Sequence, residues 1–317
     1  MKFLVGLLVG GAIGFSIFAG LVSLAVGRPM VETQGFATSF AHKAEIANRV
    51  QDPKILFVGG SSVDLGISAE LASRILEKPA INFGLISPLG PGYILEKAKE
   101  ASKPGDLVIL ALEYYCYEWP GRSQLWLDPM FVQYVTAQDP EYLTSLPFWY
   151  RWNILARMSS SHLATVLLRH RVREKSAIQN INDYGDRTDN TPEARPTDAT
   201  MRLKPINQLL DGLGENPKGF PIVSEFIRWA KNNNVKVIAT FPNVGRNPNY
   251  KAEVLDLVEN RIRNFYETKD IPVMGSLKGT MFAEDDCFDT PFHLIHDAVL
   301  RRTHQLTNDF LRVSLSK

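Results

Sequence analysis

The run Lys54-Ile-Leu-Phe-Val58, followed at once by Gly59-Gly60-Ser61-Ser62, decides the fold. A short, continuous apolar run is typical of a strand that is buried on both faces of a parallel sheet, and the two glycines indicate a tight turn. Residues 67–76 then have helical periodicity. The stretch therefore predicts a strand, a turn and a helix in succession.

The same alternation recurs in the rest of the chain. Apolar runs predict strands at residues 80–83, 106–112, 235–241 and 271–274, and helical spacing predicts helices at residues 92–101, 221–232, 250–267 and 293–313. Strands that alternate with helices indicate a parallel sheet with helices on both faces. In such sheets ligands bind beyond the carboxyl ends of the strands.

An insertion at about residues 119–205 interrupts the alternation. Its first part is rich in aromatic residues, which could form a small core of their own or offer sugars a stacking platform. Residues 151–173 predict a helix with a basic end. Residues 175–200 are polar and contain prolines, so we expect an exposed or mobile loop there.

The N-terminal segment predicts a membrane anchor. Residues 3–27 carry no charged side chain, and this run is longer than the ~20 residues that a helix needs to cross a bilayer. A cleavable signal peptide has a shorter apolar core of about 7–15 residues, although Ala25-Val26-Gly27 would suit a signal peptidase. We therefore expect an uncleaved anchor at residues 1–28 and a connector at residues 29–53, before a main domain at residues 54–317.

Gly6, Gly10 and Gly14 recur at every fourth position within the apolar segment. Small residues in such a row let two membrane helices approach closely, which would suit docking to a membrane protein. Glycine is also common in membrane helices in general, so both interpretations stay open.

Charge and cysteine content exclude several classes of function. The formal net charge is +1, from 35 basic and 34 acidic side chains, so no long-range field favours nucleic acid. Cys116 and Cys287 belong to no CxxC pair or Cys/His cluster, and we predict no metal and no cofactor. The two cysteines could form a disulfide outside the cytoplasm, or be two buried apolar residues.

Two sequence positions carry candidate chemistry. Ser61 follows the first strand and begins a helix, where free backbone N–H groups suit a nucleophile whose attack creates an oxyanion. The same turn could also bind phosphate, or Ser61 or Ser62 could simply cap the helix. Late in the chain, Asp289 and His293 stand four residues apart, and a serine nucleophile needs such a base and carboxylate.

Together these segments resemble the SGNH (GDSL-type) hydrolase superfamily. Ile55-Leu-Phe-Val-Gly-Gly-Ser61 is similar to its first block, Asn82-Phe83-Gly84 to its second, and Phe288-Asp289-Thr-Pro-Phe-His293-Leu294 to its last. The Asp-to-His spacing is one residue longer than usual, as in the branch that contains DltD-like and alginate-acetylation auxiliary proteins. The resemblance implies a Ser61, His293 and Asp289 triad, with the N–H groups of Ser61 and Gly84 as the oxyanion hole.

The third block of that family usually supplies an asparagine after strand three. Here the strand continues into Leu112-Glu113-Tyr114-Tyr115-Cys116, so that donor is missing, and Tyr114 or Tyr115 is the candidate replacement. Loss of one oxyanion donor can lower kcat by about 10²–10³. A slow or specialised enzyme and a site that only binds are therefore both compatible with the sequence.

The prediction is a flavodoxin-like three-layer α/β sandwich with a mostly parallel sheet and one N-terminal membrane helix. The resemblance implies an O-acyltransferase or esterase of an envelope or extracellular polysaccharide, with the main domain on the extracytoplasmic side and a multi-spanning membrane acyltransferase as a partner. The alternatives are a non-catalytic scaffold that docks to a membrane partner, and a thioester or phosphoester hydrolase. The absence of a clustered basic pocket and of a metal cluster weighs against a phosphoester substrate.

Overall fold

A computed structural model describes residues 2–119, 127–168, 178–198 and 204–315. Residues 1–37 and 122–175 form one compact unit, and residues 38–121 and 176–317 form the other. The predicted insertion is thus divided: its aromatic part is grouped with the N-terminal helix, and its polar part with the main domain.

Strands and helices alternate along the second unit. The strands are β1 (Ile55–Gly59), β2 (Ala80–Gly84), β3 (Leu107–Ala111), β4 (Lys236–Thr240), β5 (Val244–Gly245), β6 (Val273–Met274) and β7 (Met281–Phe282). The helices described in the whole chain are α1 (Lys2–Ala25), α2 (Val31–Arg49), α3 (Ser61–Asp64), α4 (Ala69–Leu76), α5 (Gly90–Ala101), α6 (Tyr114–Tyr117), α7 (Pro129–Ala137), α8 (Pro140–Ser145), α9 (Phe148–Leu155), α10 (Ser160–Leu168), α11 (Asn207–Leu210), α12 (Phe220–Asn232), α13 (Ala252–Glu267) and α14 (His296–Leu315).

Five of the strands form one parallel sheet in the order β2-β1-β3-β4-β6, which confirms the predicted α/β class. Every residue of β1 and β2 is buried, as continuous apolar runs require when both faces of a sheet are covered. Ile55, Phe57 and Ile109 pack in one cluster with Leu306 of α14. β5 and β7 form a separate parallel pair that the sequence analysis does not predict.

The register of the central strands places their carboxyl ends together. Gly59 is paired with Gly84 on one side and with Ala111 on the other. The residues after these three strands, which include Ser61 and Glu113, therefore lie at one edge of the sheet. This edge is where parallel sheets bind their ligands.

The helix predicted at residues 151–173 is two helices, α9 and α10, and residues 169–173 lie outside the described residues. The break comes at Ser159, whose hydroxyl accepts a hydrogen bond from the His162 N–H at 3.1 Å. A serine that accepts a bond from the N–H three residues later caps the start of a helix. This local capping, which the apolar spacing does not reveal, divides the segment.

The polar segment expected to be an exposed loop contains buried residues in its described part, 178–198. Asp186 and Asn190 are both buried. The Asp186 carboxylate accepts hydrogen bonds from the N–H groups of Ala69 (2.7 Å) and Glu70 (3.0 Å), so it caps α4. The expectation of exposure is wrong here because polar side chains can be buried when a helix terminus offers them partners.

Helix α1 is long and apolar enough to be a membrane anchor or a signal sequence. Cys116 and Cys287 are both buried free thiols, so the structure has the second of the two arrangements considered for them. Burial raises the pKa of both thiols, that of Cys287 to about 12, and neither is therefore a reactive thiolate at neutral pH.

Candidate active site

Asp289 and His293 form a hydrogen-bonded pair. The distance from His293 Nδ1 to Asp289 Oδ1 is 2.5 Å, and both side chains are partly exposed. An ionised carboxylate can only accept, so Nδ1 is the donor of this bond, and in the neutral imidazole Nε2 then keeps a lone pair. That is the tautomer that a general base opposite a serine requires.

The loop that carries this pair is tied to the start of the domain. The Leu294 N–H donates to the carbonyl of Leu65, the residue after α3, at 3.0 Å. On the other side of His293, the Phe292 carbonyl accepts a hydrogen bond from Asn243 Nδ2 at 2.5 Å. The backbone on both sides of the imidazole is therefore fixed, and it is fixed next to the helix that Ser61 begins.

Ser61 is the first residue of α3 and is partly exposed, whereas Ser62 is buried. Among the residues that the structure describes, no hydrogen bond engages the Ser61 hydroxyl or its N–H, and none joins Ser61 to His293. Neither serine caps α3, whose N-cap is Gly60 without a side-chain hydrogen bond. Ser61 is thus the accessible hydroxyl of the two, and catalytic hydrogen bonds are often loose before substrate binds.

Glu113 is the second residue after β3, next to the serine turn. It is fully buried, and its carboxylate accepts hydrogen bonds from the N–H groups of Gly60 (3.0 Å) and Ser62 (2.9 Å). A Cβ on Gly60 would lie 2.6 Å from both carboxylate oxygens, so only glycine leaves room for this contact. The Glu113 carboxylate is therefore an acceptor that fixes the serine turn, and it cannot act as a donor to an oxyanion.

This carboxylate also bears on the phosphate alternative. Two of the N–H groups at the turn, those of Gly60 and Ser62, already donate to Glu113 and are not free for a phosphate. A second anion at the same place would meet like charge. The geometry therefore disfavours phosphate binding at Ser61.

Gly84, the second expected oxyanion donor, has its N–H engaged by the Asn82 side chain at 3.0 Å. Asn82 also donates to the carbonyls of Val63 (3.0 Å) and Ile67 (2.9 Å), and so it joins β2 to the segment around α3. A Cβ on Gly84 would lie 2.1 Å from the Asp64 nitrogen, which excludes any larger residue. In this structure the Gly84 N–H is therefore not open to a substrate.

A buried ion pair, which the sequence analysis did not find, fixes the far end of α3. Lys43 Nζ lies 2.5 Å from Asp64 Oδ1, and both residues are buried. Arg187 Nη1 lies 3.6 Å from the other Asp64 oxygen. Burial opposes the charge of Arg187, but its acidic neighbours Asp189, Asp64 and Asp289 together raise its pKa. The positive charge of Arg187 thus stays beside the carboxylates at this edge of the sheet.

Tyr114, a candidate replacement donor, is fully buried, and its ring centroid lies 6.4 Å from that of Phe292. Burial also raises its pKa, so it remains a neutral phenol. Among the described residues, no group of three or more His, Cys, Asp or Glu side chains could hold a metal ion.

Neither protein-family models nor curated proteins nor solved structures give a match to this chain.

Proposed function

We propose that the chain is a membrane-anchored serine acyl-ester enzyme with an SGNH-like, flavodoxin-like three-layer domain. The observation that carries the proposal is the 2.5 Å hydrogen bond between His293 and Asp289, on a loop that is bonded to the residue after α3. The strand order β2-β1-β3-β4-β6 supports the flavodoxin-like arrangement.

In the proposed reaction, His293 Nε2 takes the proton from Ser61 Oγ as that oxygen attacks the ester carbonyl. Asp289 holds the tautomer and stabilises the imidazolium that forms. The alcohol leaves with the proton from His293, and an acyl group remains on Ser61. Water then releases the acyl group as an acid, or a sugar hydroxyl takes it as a new ester.

Oxyanion stabilisation is the weak point of this site. The Ser61 N–H has no acceptor within the described part of the chain, while the Gly84 N–H donates to Asn82. Each missing donor can lower kcat by about 10²–10³. We therefore expect slow hydrolysis of simple esters, and a substrate or partner that completes the hole would raise the rate.

The acceptor class and the membrane partner follow from the family resemblance. It favours an envelope or extracellular polysaccharide as acceptor, a multi-spanning membrane acyltransferase as acyl donor, and an extracytoplasmic position for the main domain. Helix α1 supports membrane attachment by its length and composition. Of the tyrosines and phenylalanines in the described part of residues 122–175, all but Phe148 are buried, which favours a core role for these aromatics over a sugar platform.

The test is hydrolysis of a short-chain aryl acetate by the full chain in detergent. Ser61→Ala and His293→Ala should each lower kcat by about 10²–10⁴-fold, because they remove the nucleophile and the base. Ser62→Ala is the matched control, since Ser62 is buried beside the site, and it should retain turnover. Equal turnover in the wild type and both site variants would show that the hydrolysis does not use this triad.

A non-catalytic scaffold is the second candidate, and Glu113 is the observation that favours it. A buried carboxylate beside Ser61 opposes the build-up of negative charge that acyl transfer requires. A scaffold would show no turnover above buffer, yet would bind polysaccharide equally well with and without Ser61→Ala. An enzyme would lose turnover in that variant while it keeps polysaccharide affinity.

A further inference from the structure

Helix α9 of the first unit exposes three large aromatic side chains. Phe148, Trp149 and Trp152 are 54%, 81% and 38% exposed. Their rings form one cluster, with centroids 5.2 Å apart for Phe148 and Trp149 and 6.2 Å apart for Phe148 and Trp152. A contiguous exposed patch of this kind indicates an interaction site.

The aromatic cluster continues onto α1. The Trp152 ring is stacked on the ring of Phe15, with centroids 6.4 Å apart and an interplanar angle of 24°. Val22 and Ala25, in the last turns of α1, are buried, and the Gly27 N–H donates to the Thr136 carbonyl at 2.8 Å. The C-terminal part of α1 is therefore packed into the first unit.

The length of α1 places Phe15 within the hydrocarbon if this helix spans a bilayer. The hydrocarbon core is ~30 Å thick and needs about 20 helical residues. Residues 3–15 would cover only ~20 Å at 1.5 Å per residue. The core must therefore extend beyond Phe15, and a ring that is stacked on Phe15 lies at membrane depth.

We propose that the α9 aromatic cluster (Phe148, Trp149 and Trp152) is a second membrane contact, which seats the first unit in the interface of the lipid bilayer. The proposal rests on α1 being a membrane span, but not on the acyl-ester activity. An interfacial helix buries its apolar face about 5–10 Å into the boundary between headgroups and acyl chains, a depth that agrees with a ring stacked on Phe15, and tryptophans are enriched in this region. The charge of α9 is compatible with a membrane surface. Arg151 is its one ionisable side chain apart from Tyr150, and the helix has no acidic residue that lipid phosphates would repel.

Quenching of tryptophan fluorescence tests this placement. The full chain is reconstituted in nanodiscs of phosphatidylcholine with brominated acyl chains, and its emission is compared with that in unbrominated discs. Trp149→Phe is the main variant, because an 81% exposed side chain can be replaced without unfolding. Trp152→Phe is the second variant, and Trp229→Phe, in α12 of the other unit, is the matched control.

We expect bromine to quench the wild type, and we expect Trp149→Phe and Trp152→Phe together to remove most of that quenching. Trp229→Phe should leave the quenching unchanged. Quenching that persists undiminished in the Trp149→Phe, Trp152→Phe double variant would overturn the proposed surface while α1 remains a span. Failure of the chain to enter the discs would overturn the span and the surface together, and neither result depends on turnover.

Discussion

Glu113 is the residue whose environment departs most from a simple serine esterase. Its fully buried carboxylate receives the N–H groups of both neighbours of Ser61. The strand register that pairs Gly59 with Ala111 brings Glu113 to this turn. Glu113 therefore fixes the turn that presents Ser61, at the cost of a negative charge beside it.

Replacement of Glu113 should destabilise the second unit in a graded way. Glu113→Ala leaves two buried N–H groups unpaired, and hydrogen bonds to a charged group contribute about 1.5–3 kcal/mol each, so we expect a loss of about 3–6 kcal/mol. Glu113→Gln retains one acceptor oxygen and should lose about half of that. Urea unfolding of each variant gives the values.

Glu96→Gln is the control for Glu113, because the Glu96 carboxylate is partly exposed in its pair with Lys99. It should change the free energy of unfolding by less than about 1 kcal/mol. A loss as small in Glu113→Ala as in this control would mean that Glu113 does not hold the serine turn.

At the residue scale, the sequence predicts some of these roles and misses others. Ser61, Asp289 and His293 stand in local motifs, where the chemistry is visible within a few residues. The sequence indicates only that an asparagine is missing near Glu113. It does not reveal the role of Glu113, because the partners of its carboxylate lie 51 and 53 residues away. The sequence does not predict that Lys43 is buried in an ion pair, because only the fold brings it close to Asp64.

At the scale of elements, α4 depends on a cap from a distant segment. Asp186 accepts from the Ser68 hydroxyl at 3.0 Å as well as from the first N–H groups of the helix. Asp186→Ala leaves the N–H groups of Ala69 and Glu70 without this acceptor, while the N-cap Ser68 still accepts from Leu71, and it should destabilise the protein by about 1–3 kcal/mol. In this variant the rate of amide hydrogen exchange should increase most in the first turn of α4.

Asp189→Ala is the matched control for Asp186, as it lies in the same segment and pairs with Arg187 at a partly exposed site. It should leave exchange in α4 unchanged. Equal acceleration in the two variants would mean that the whole segment, instead of the Asp186 carboxylate, protects the helix.

Helix α10 should respond to acid through His162. Burial lowers the pKa of this imidazole, and the nearby charge of Glu32 only partly opposes that shift. The folded state therefore prefers the neutral ring, so the stability that His162 contributes is complete above the unfolded pKa of ~6.5 and is lost as pH falls through the lower folded pKa.

We therefore expect the protection of α10 amides, measured relative to their intrinsic exchange rate, to decrease as pH falls below about 6.5 in the wild type and His162 takes up a proton. His162→Gln cannot be protonated and should remove most of that loss of protection, while His304→Gln, at an exposed position in α14, should not. An unchanged pH dependence in His162→Gln would contradict the assignment.

The elements themselves were largely predictable. The five strands of the main sheet coincide with the predicted apolar runs, and β1 and β2, which are buried at every position, need an apolar run because both faces of the sheet are covered. The two-residue strands β5 and β7 were missed because they are too short to have a pattern. The start of α14 at His296 was also missed, because the backbone bond of Leu294 to Leu65 holds the preceding residues out of the helix.

At the scale of the whole molecule, α1 is long and apolar enough to be a membrane anchor or a signal sequence, and its packing bears on which of the two it is. Val22 and Ala25 are buried within the first unit, so removal of the segment up to residue 28 would expose the surface that packs against them. An uncleaved anchor is therefore consistent with the packing of the unit as well as with the length of the apolar run.

The intact mass of the protein purified from membranes tests this point. We predict the mass of the chain with residues 1–28 retained. A mass that corresponds to residues 28–317 would show that α1 is a cleaved signal sequence. It would also remove the basis for the α9 membrane contact.

In the proposed function, Ser61 is a nucleophile that His293 and Asp289 activate. The most direct measurement is covalent labelling of the full chain by a fluorophosphonate probe, with the modified residue located by mass spectrometry of peptides. We predict a label on Ser61 that Ser62→Ala retains and that His293→Ala lowers by about 10²-fold or more. A label on Ser62, or no label on Ser61 in a folded wild-type chain, would contradict it.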